Sequence, residues 1–199
     1  AGAGHGGNGG SGNWDVSNKY YSASGGTAYD DMLKPAMPGS GGGGFGGVGG
    51  GVAVIVAGGS ARIDGLVTAD GLPGLGGSQY CCGGGGAGGA IRIEAGTMTG
   101  VGLLTARGGD GLASSNGPSA GGGGAAGRVL VGGTGAKSAA IRYDLEPGAP
   151  GHAYAQRGGA GTLALLEPGQ QPSLIVSATR SYAEYERAIT PISMEVVSD

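Results

Sequence analysis

The residues of this chain that could perform nucleophilic or acid–base chemistry are few and far apart. Its two histidines are His5, inside a glycine tract, and His152, in the turn-like stretch PGAPGHAYAQ. A Ser-His-Asp triad needs a histidine that an acid orients toward a serine, and neither histidine has a G-x-S-x-G motif as its partner. Asp30 and Asp31 form a carboxylate pair, but adjacent side chains on a strand or loop point apart, which disfavours general acid–base catalysis. The sequence therefore predicts a protein that is not an enzyme.

Calcium is the one metal that the sequence raises, through Asp-Gly-Leu triplets that begin at Asp64, Asp70 and Asp110. Glycine- and aspartate-rich repeats can coordinate calcium between stacked turns. The spacing here does not match the nine-residue calcium repeat, and Asp-Gly turns explain the triplets equally well. The glycine tracts also lack the Gly-Lys-Ser/Thr ending of a phosphate-binding loop. We therefore predict no cofactor.

The only cysteines, Cys81 and Cys82, are adjacent and are disulfide candidates. Neighbouring cysteines can close a strained ring with each other, or each can pair with another chain. They could also form an inert buried pair, whereas a zinc site needs four ligands and both histidines are distant in sequence. Oxidised cysteines would fit an extracellular setting.

Aromatic residues cluster near the start of the chain, at Trp14, Tyr20, Tyr21 and Tyr29. Exposed aromatic side chains of this kind can stack on sugars or anchor an interface. Alternatively, Trp14 and Tyr20 plug the end of a glycine-rich layer, which has no side chains of its own to cap it. Both interpretations stay open at this point.

The composition places the chain between disordered and folded proteins. Glycine supplies 53 of its 199 residues, yet the hydrophobic fraction is 39% and the net charge only −3, whereas disordered chains are poorly hydrophobic and highly charged. Because ordering glycine costs more backbone entropy than ordering any other residue, a folded form needs dense backbone hydrogen bonding. The 11 basic residues are scattered singly, which argues against a nucleic-acid partner, and no apolar stretch is long enough to span a membrane.

The glycine tracts recur with a period of about 38 residues. Tracts that end at Gly51, Gly89 and Gly127 each lead directly into an apolar run. A second motif repeats with an offset of 37, since residues 66–71 (LVTADG) match residues 103–108 (LLTARG). Periods of this size indicate stacked or arrayed units rather than an enzyme core.

Within the tracts, glycine follows a Gly-Gly-X pattern, as in GHGGNGGSG and GFGGVGGG. Three residues per turn is the period of the polyproline II helix, and without β-carbons such helices can pack side by side and bond to their neighbours. The X residues His5, Asn8, Phe45 and Val48 would then line one edge of each helix. The alternatives are collagen, which wants longer and proline-rich tracts, and a flexible linker.

The apolar runs predict strands. Residues 52–57 (VAVIVA) are continuous and β-branched, as in a strand buried on both faces. Residues 90–95 (AIRIEA) alternate, which predicts one face with Ile91 and Ile93 inside and one face with Arg92 and Glu94 in water. We therefore predict an all-β fold in which repetitive strands, in a solenoid- or sandwich-like arrangement, alternate with packed polyglycine II helices, with little or no α-helix.

The texture of the sequence changes near residue 136, which predicts a glycine-rich repeat domain over residues 1–136 and a β-rich region over residues 137–199. Two Leu-Glu-Pro-Gly stretches in the second region, one of them ending at Gly148, are typical of type II turns. Leu174, Ile175 and Val176 form a candidate assembly strand. Residues 181–187 could be a helical turn or a strand, and residues 194–197 are again apolar. This end could fold back, or add a strand to an open edge of a neighbouring subunit.

The order of motifs resembles a glycine-rich repeat domain found in secreted and surface proteins of bacteria, algae and other protists. The motifs are GHGGNGGSG, GGTAYDDMLKPAMPGSGGGG, GGGGAGGAIRIEAGTMTGVGLLTARGGDG and GGGGAAGRVLV, and they cover residues 1–133. The resemblance implies extracellular or cell-surface architecture. The chain is also similar, more loosely, to phage tail-fibre adhesins whose tips are built from packed polyglycine helices, although it departs from them by carrying strands between its tracts.

These observations predict a non-catalytic extracellular structural protein, a subunit of a filament or cell-surface layer that self-associates into a homopolymer through backbone and strand-edge packing. The alternative is an adhesin or carbohydrate-binding module that contacts surface glycans through the N-terminal aromatic residues. A third hypothesis, ice binding through a flat polyglycine face, is disfavoured because the chain lacks regularly spaced threonine.

Overall fold

A computed structural model describes residues 1–16, 19–76, 82–115, 119–135, 140–166 and 173–177, with the backbone alone for residues 14–16, 19–21 and 173–177. No helix occurs in these ranges, and so none that could cross a membrane. The strands are β1 (Gly12–Val16), β2 (Lys19–Ala23), β3 (Val52–Arg62), β4 (Leu66–Thr68), β5 (Ala90–Thr99), β6 (Leu103–Thr105), β7 (Arg128–Gly132), β8 (Arg142–Asp144), β9 (Gly161–Leu165) and β10 (Ser173–Ser177).

Two sheets form the strand-rich half of the molecule, and β1 and β2 form a separate antiparallel pair. The larger sheet has the order β10-β9-β7-β5-β3, in which β3, β5, β7 and β9 are parallel and β10 is antiparallel to β9. Its register aligns Val52 with Ala90 and Ala90 with Arg128, so partners in β3, β5 and β7 lie 38 residues apart, whereas Arg128 in β7 pairs with Thr162 in β9 at an offset of 34. The register of the first three parallel strands therefore has the same spacing as the glycine tracts.

The smaller sheet has the order β4-β6-β8 and is entirely parallel. Leu66 pairs with Leu103, an offset of 37 that matches the second repeat in the sequence. Between the two sheets lies the hydrophobic core, to which the larger sheet contributes Ile91 and Val129 and the smaller sheet contributes Leu104, all of them buried. The alternation predicted for residues 90–95 is confirmed, because Ile91 and Ile93 are fully buried and their neighbours Arg92 and Glu94 are only partly so.

The prediction that residues 52–57 are buried on both faces was wrong. In β3, Ala53 and Ile55 are half-buried against the core, whereas Val52, Val54 and Val56 are 42%, 49% and 68% exposed. The physical reason is position: β3 is the last strand at its edge of the sheet, and the exposure of its valines shows that no described segment covers its outer face there. A continuous apolar run is therefore not by itself a signal of burial on both faces.

Extended glycine segments form a second layer beside the sheets, and residues 121–127 lie at its centre. This segment donates backbone hydrogen bonds to three neighbouring segments. Gly121, Gly124 and Gly127 donate to residues 106–112. Residues 123 and 126 donate to residues 156–159, and Ala125 donates to Ala3. It accepts from three others, residues 148–151, 85–88 and 6–10. Residues three apart bond to the same neighbour, so the segment has six neighbours and a period of three.

Glycine is needed in this layer because neighbouring backbones lie where a side chain would begin. A β-carbon on Gly124 would lie 2.1 Å from the Gly86 carbonyl oxygen, and one on Gly86 would lie 2.2 Å from that of Val48. Real β-carbons do not approach backbone atoms so closely, and the layer would have to open to admit one. Dense backbone bonding thus replaces side-chain packing in this half of the molecule.

Residues beyond 136 continue the same arrangement. The strands β8 and β9 pair with β6 and β7, so both sheets extend across the domain boundary predicted at residue 136. Gly148 was predicted to complete a type II turn, which needs a positive φ at that glycine. That prediction was wrong: Gly148 is not among the glycines with positive φ, and its N–H instead bonds to the Gly124 carbonyl at 2.9 Å within the glycine layer.

Candidate assembly surface and a buried polar cluster

A cluster of ionisable side chains lies where the N-terminal segment crosses β7. His5 is fully buried, and its Nε2 lies 3.2 Å from Oδ2 of Asp30, whose side chain is 5% exposed. Asp30 has a positive φ of 71°, which aspartate tolerates better than most residues. Its carboxylate also accepts backbone N–H bonds from Asp31 at 2.8 Å and from Met37 at 3.0 Å, so this loop folds around the Asp30 side chain.

The environment shifts the pKa of both partners downward. Burial lowers the pKa of His5, against the opposing effect of the Asp30 carboxylate, so the imidazole is neutral in the fold. Burial alone would raise the pKa of Asp30, but the backbone N–H groups and His5 that bond to its carboxylate bring the pKa below its usual range. The carboxylate therefore accepts the Nε2–H of His5, while Nδ1 of His5 has no hydrogen-bond partner among the described residues.

Arg128, at the start of β7, holds this cluster against the sheet. Its residue exposure is 6%, and its guanidinium donates to the Tyr29 carbonyl through Nε at 2.9 Å and Nη2 at 2.8 Å, and to Oγ1 of Thr162 at 3.0 Å. Burial lowers the pKa of Arg128 from its normal value. Because a buried guanidinium is costly unless its donors are satisfied, these bonds fix the segment around Tyr29 over β7 and β9.

This geometry supports a structural role for the cluster rather than a catalytic one. His5 has an acid partner that the sequence did not predict, but its ring is 0% exposed and contacts Tyr29, with ring centroids 4.8 Å apart. A general base must reach the proton of its substrate, and a fully buried imidazole in this layer cannot. Among the described residues, no serine forms a hydrogen bond with His5.

Two of the three aspartates of the Asp-Gly-Leu triplets bond to the chain that lies next to them, whereas Asp64 pairs with Arg62 in its own segment. Asp70 accepts from the Arg107 N–H at 2.7 Å, and Asp110 accepts from the Ala149 N–H at 2.7 Å. These bonds join residues 37 and 39 positions apart, the same offsets as in the smaller sheet. Within the ranges that the structure describes, no group of three or more His, Cys, Asp or Glu side chains could hold a metal ion.

Large apolar side chains are exposed at the end of the glycine layer that lies beside β3. Phe45, Val48, Leu72 and Leu75 are 56–64% exposed. Their backbones are directly bonded, since Leu72 N donates to Val48 O at 2.8 Å and Leu75 N donates to Phe45 O at 2.6 Å. We call these four residues the apolar end. Contiguous exposed apolar surface on a soluble protein marks an interaction site.

Corresponding positions deeper in the layer are glycine. The bond from Leu72 N to Val48 O recurs from Gly109 N to Gly86 O at 2.8 Å. A β-carbon on Gly109 would lie 2.0 Å from Leu72 O, which places the preceding segment in the direction of its side chain. At the apolar end no described segment precedes, and side chains occupy that direction instead. Sequence reasoning could have found this by aligning the tracts, because Val48 stands 38 residues before Gly86.

The sequence-predicted aromatic site is only partly described. Tyr29 is half-buried, donates from its hydroxyl to Pro38 O at 2.5 Å and contacts His5, so its side chain is engaged within the chain. Trp14, Tyr20 and Tyr21 lie in β1 and β2, whose pairing places Trp14 opposite Tyr21, but their side chains fall outside the description. Of the two cysteines, Cys82 donates from Sγ to Ser119 O at 3.1 Å, and Cys81 lies outside the described residues.

The candidate assembly strand, Leu174 to Val176, lies in β10. Its backbone pairs antiparallel with β9 of the same chain, with Ile175 opposite Leu163, so the fold-back expected as one alternative occurs here. As β10 is the last strand in the sheet order, its second edge has no partner strand among the described residues. Residues 181–187 and 194–197, the rest of the predicted tail, lie outside the description.

Comparisons with known proteins identify no relative of this chain. No family model matches the chain, and searches of curated proteins and of solved structures find no match.

Proposed function

We propose that the chain is a non-catalytic structural protein, an extracellular subunit that self-associates into a filament or a cell-surface layer. In this proposal its body is a β-solenoid whose coils alternate strands with polyglycine II helices. The period-three bonding of residues 121–127 to six neighbouring segments supports the polyglycine II assignment. The parallel strand pairs, with offsets of 34–39 residues, support the solenoid.

The observation that carries the assembly role is the apolar end. A solenoid that must stay soluble as a monomer needs a polar outer face on its terminal coils. Here the terminal coil instead exposes Phe45, Val48, Leu72 and Leu75, next to the open edge of β3. An open strand edge beside exposed apolar surface favours association with another chain.

Electron microscopy of negatively stained protein tests the proposal. At high concentration we expect filaments or ordered sheets, because the larger sheet ends in β3 and β10, neither of which has a further partner strand among the described residues. Particles that stay monomeric at every concentration would remove the self-assembly function. The alternative of a glycan-binding module is tested by a glycan array, but no contact of the described residues favours it, since Tyr29 bonds within the chain.

A further inference from the structure

Resting on the proposed function, we propose that the open edge of β3 pairs with the open edge of β10 of a second copy, so that the larger sheet runs without interruption from subunit to subunit. These two strands lie at opposite ends of the sheet, whose strand order is β10-β9-β7-β5-β3. A contact between different surfaces of identical chains is heterologous and generates an open filament where the rotation does not close a ring.

Strand direction supports this pairing. Four strands of the sheet are parallel, and β10 alone runs against them. A second copy that is translated along the sheet therefore brings β10 beside β3 in the antiparallel sense, with both copies in the same orientation. Five strands separated by about 4.8 Å give a rise of roughly 24 Å per subunit.

The hydrogen-bonding groups of β3 are available for such a partner. Ala90 N donates to Gly51 O at 3.1 Å, which fixes the alternation of the ladder between β3 and β5. In a parallel pair with this alternation, Ala53 and Ile55 direct their N–H groups toward β5, and Val54 and Val56 direct theirs toward the open edge. β3 is the last strand in the sheet order, so its outward N–H groups have no partner strand among the described residues.

The apolar end identifies the kind of partner segment. Inside the layer, glycine is required where the backbone of an adjacent segment leaves no room for a side chain. At Gly109, for example, an added β-carbon would lie 2.0 Å from Leu72 O. The side chains of Phe45 and Val48 are incompatible with another glycine segment in that register. β10 has the sequence SLIVS and no glycine, so the second copy would place backbone that carries side chains beside β3, the strand that follows the apolar end.

Exposed apolar side chains flank the open edge of β3. Val52, Val54 and Val56 lie in β3 itself, next along the chain after Phe45 and Val48. Together with Leu72 and Leu75, these side chains present apolar surface beside the edge that a second copy would partly cover.

Sedimentation velocity over a wide concentration range tests the pairing. Wild-type protein is expected to form species larger than a dimer, whereas Val54→Pro removes the outward N–H and raises the concentration needed for assembly by about 100-fold or more. The matched control Val54→Thr keeps that N–H and the β-branched shape, and it should assemble within about tenfold of wild type. Slow amide exchange in residues 121–127 of each variant verifies that the fold is retained.

A mixing experiment separates the proposed contact from others. Successive N–H groups of β10 point to opposite edges of the strand. One of the variants Leu174→Pro and Ile175→Pro therefore removes an N–H from the open edge, and the other removes one that bonds to β9. The variant that still folds is used to block the open edge. The variant blocked at β3 and the variant blocked at β10 should each be monomeric alone. A mixture of the two should form heterodimers and nothing larger, because only one open edge remains on each copy. Dimers of the β10-blocked variant alone would instead indicate that two β3 edges pair, and would overturn the proposal.

Two further outcomes distinguish the pairing from the function on which it rests. If wild type and Val54→Pro assemble equally, the β3–β10 contact is wrong while the self-assembly function stands. If wild type stays monomeric with β3 protected from exchange at all concentrations, the C-terminal residues of the same chain or another element cover that edge, and both proposals fail.

Discussion

Residues 45–51 and 121–127 occupy corresponding places in the glycine layer but have different surroundings. At position 124 glycine is surrounded by backbone on all sides, with Gly86 O 2.1 Å from its β-carbon direction. At the corresponding position in the earlier segment, Val48 is 64% exposed. The comparison indicates that the layer requires glycine only where another segment lies against it. At the apolar end side chains replace glycine, and a partner can bind there.

The same contrast holds across the larger sheet. Val54 and Leu130 belong to one row of aligned residues, through Arg92 between them. Leu130 is fully buried and Val54 is 49% exposed. The segment that Arg128 anchors through Tyr29 O lies over the sheet at β7, and no described segment covers Val54 in β3. The outer face of the larger sheet is thus covered at β7 and exposed at β3.

The largest effect is expected from placing a methyl group inside the layer. Gly124→Ala should lower the free energy of unfolding by about 3 kcal/mol or more, because backbone rather than a flexible side chain must move. The matched change at the apolar end, Val48→Ala, should stay within about 0.5 kcal/mol. Urea unfolding of both variants measures the difference, and equal losses would break the comparison.

A smaller loss is expected from weakening the anchor of the segment that covers the sheet at β7. Arg128→Lys cannot reproduce the fork that bonds both Tyr29 O and Thr162 Oγ1, and it should cost about 2 kcal/mol of stability. Hydrogen exchange should become faster in the segment around Tyr29 and stay slow in residues 121–127. Unchanged exchange near Tyr29 would contradict the anchoring role.

Stability is also expected to fall as the pH drops below neutrality. The pKa of His5 is lower in the folded state than its unfolded value near 6.5. Between these two pKa values the unfolded state binds more protons than the folded state. The free energy of unfolding therefore falls, as the pH drops, by at most about 1.4 kcal/mol per pH unit. The pKa of Asp30 is also lowered, and its contribution is lost only in strong acid, below about 3.8. Thermal melting from pH 7 to 5 should show the first slope in wild type and a flatter one in His5→Gln.

The smallest effect is expected at a glycine that nothing surrounds. Gly58→Ala lies in β3 with no atom within 4 Å of the new β-carbon, and Gly58 is not among the residues with positive φ. Reduced freedom of the unfolded chain should stabilise the fold by about 0.5 kcal/mol. A clear destabilisation in urea would mean that a segment lies over this part of β3 after all.

Much of the strand arrangement could be predicted from the sequence, because glycine tracts and alternating runs are local signals. The 38-residue spacing of Gly51, Gly89 and Gly127 corresponds to the register of the larger sheet. Which member of a repeated set lies at an edge depends instead on long-range order, and for that reason the exposure of Val52, Val54 and Val56 was not predicted.

The buried cluster was also beyond sequence reasoning. His5 and Asp30 are 25 residues apart and lie in different kinds of segment, and no motif links them. Only the path of the chain over β7 brings them together beside Arg128. The glycine-free apolar end, by contrast, left a signal in the aligned tracts, where Val48 and Phe45 stand in place of Gly86 and Gly83.

Amide hydrogen exchange, measured on wild-type protein at low and at high concentration, tests the central claim most directly. We predict slow exchange in residues 121–127 at both concentrations, because that segment is bonded on all sides within one chain. In residues 52–57 we predict fast exchange of the outward amides in dilute solution and slow exchange once copies associate. Equal exchange of residues 52–57 at both concentrations, or fast exchange of residues 121–127 at either one, would contradict the account.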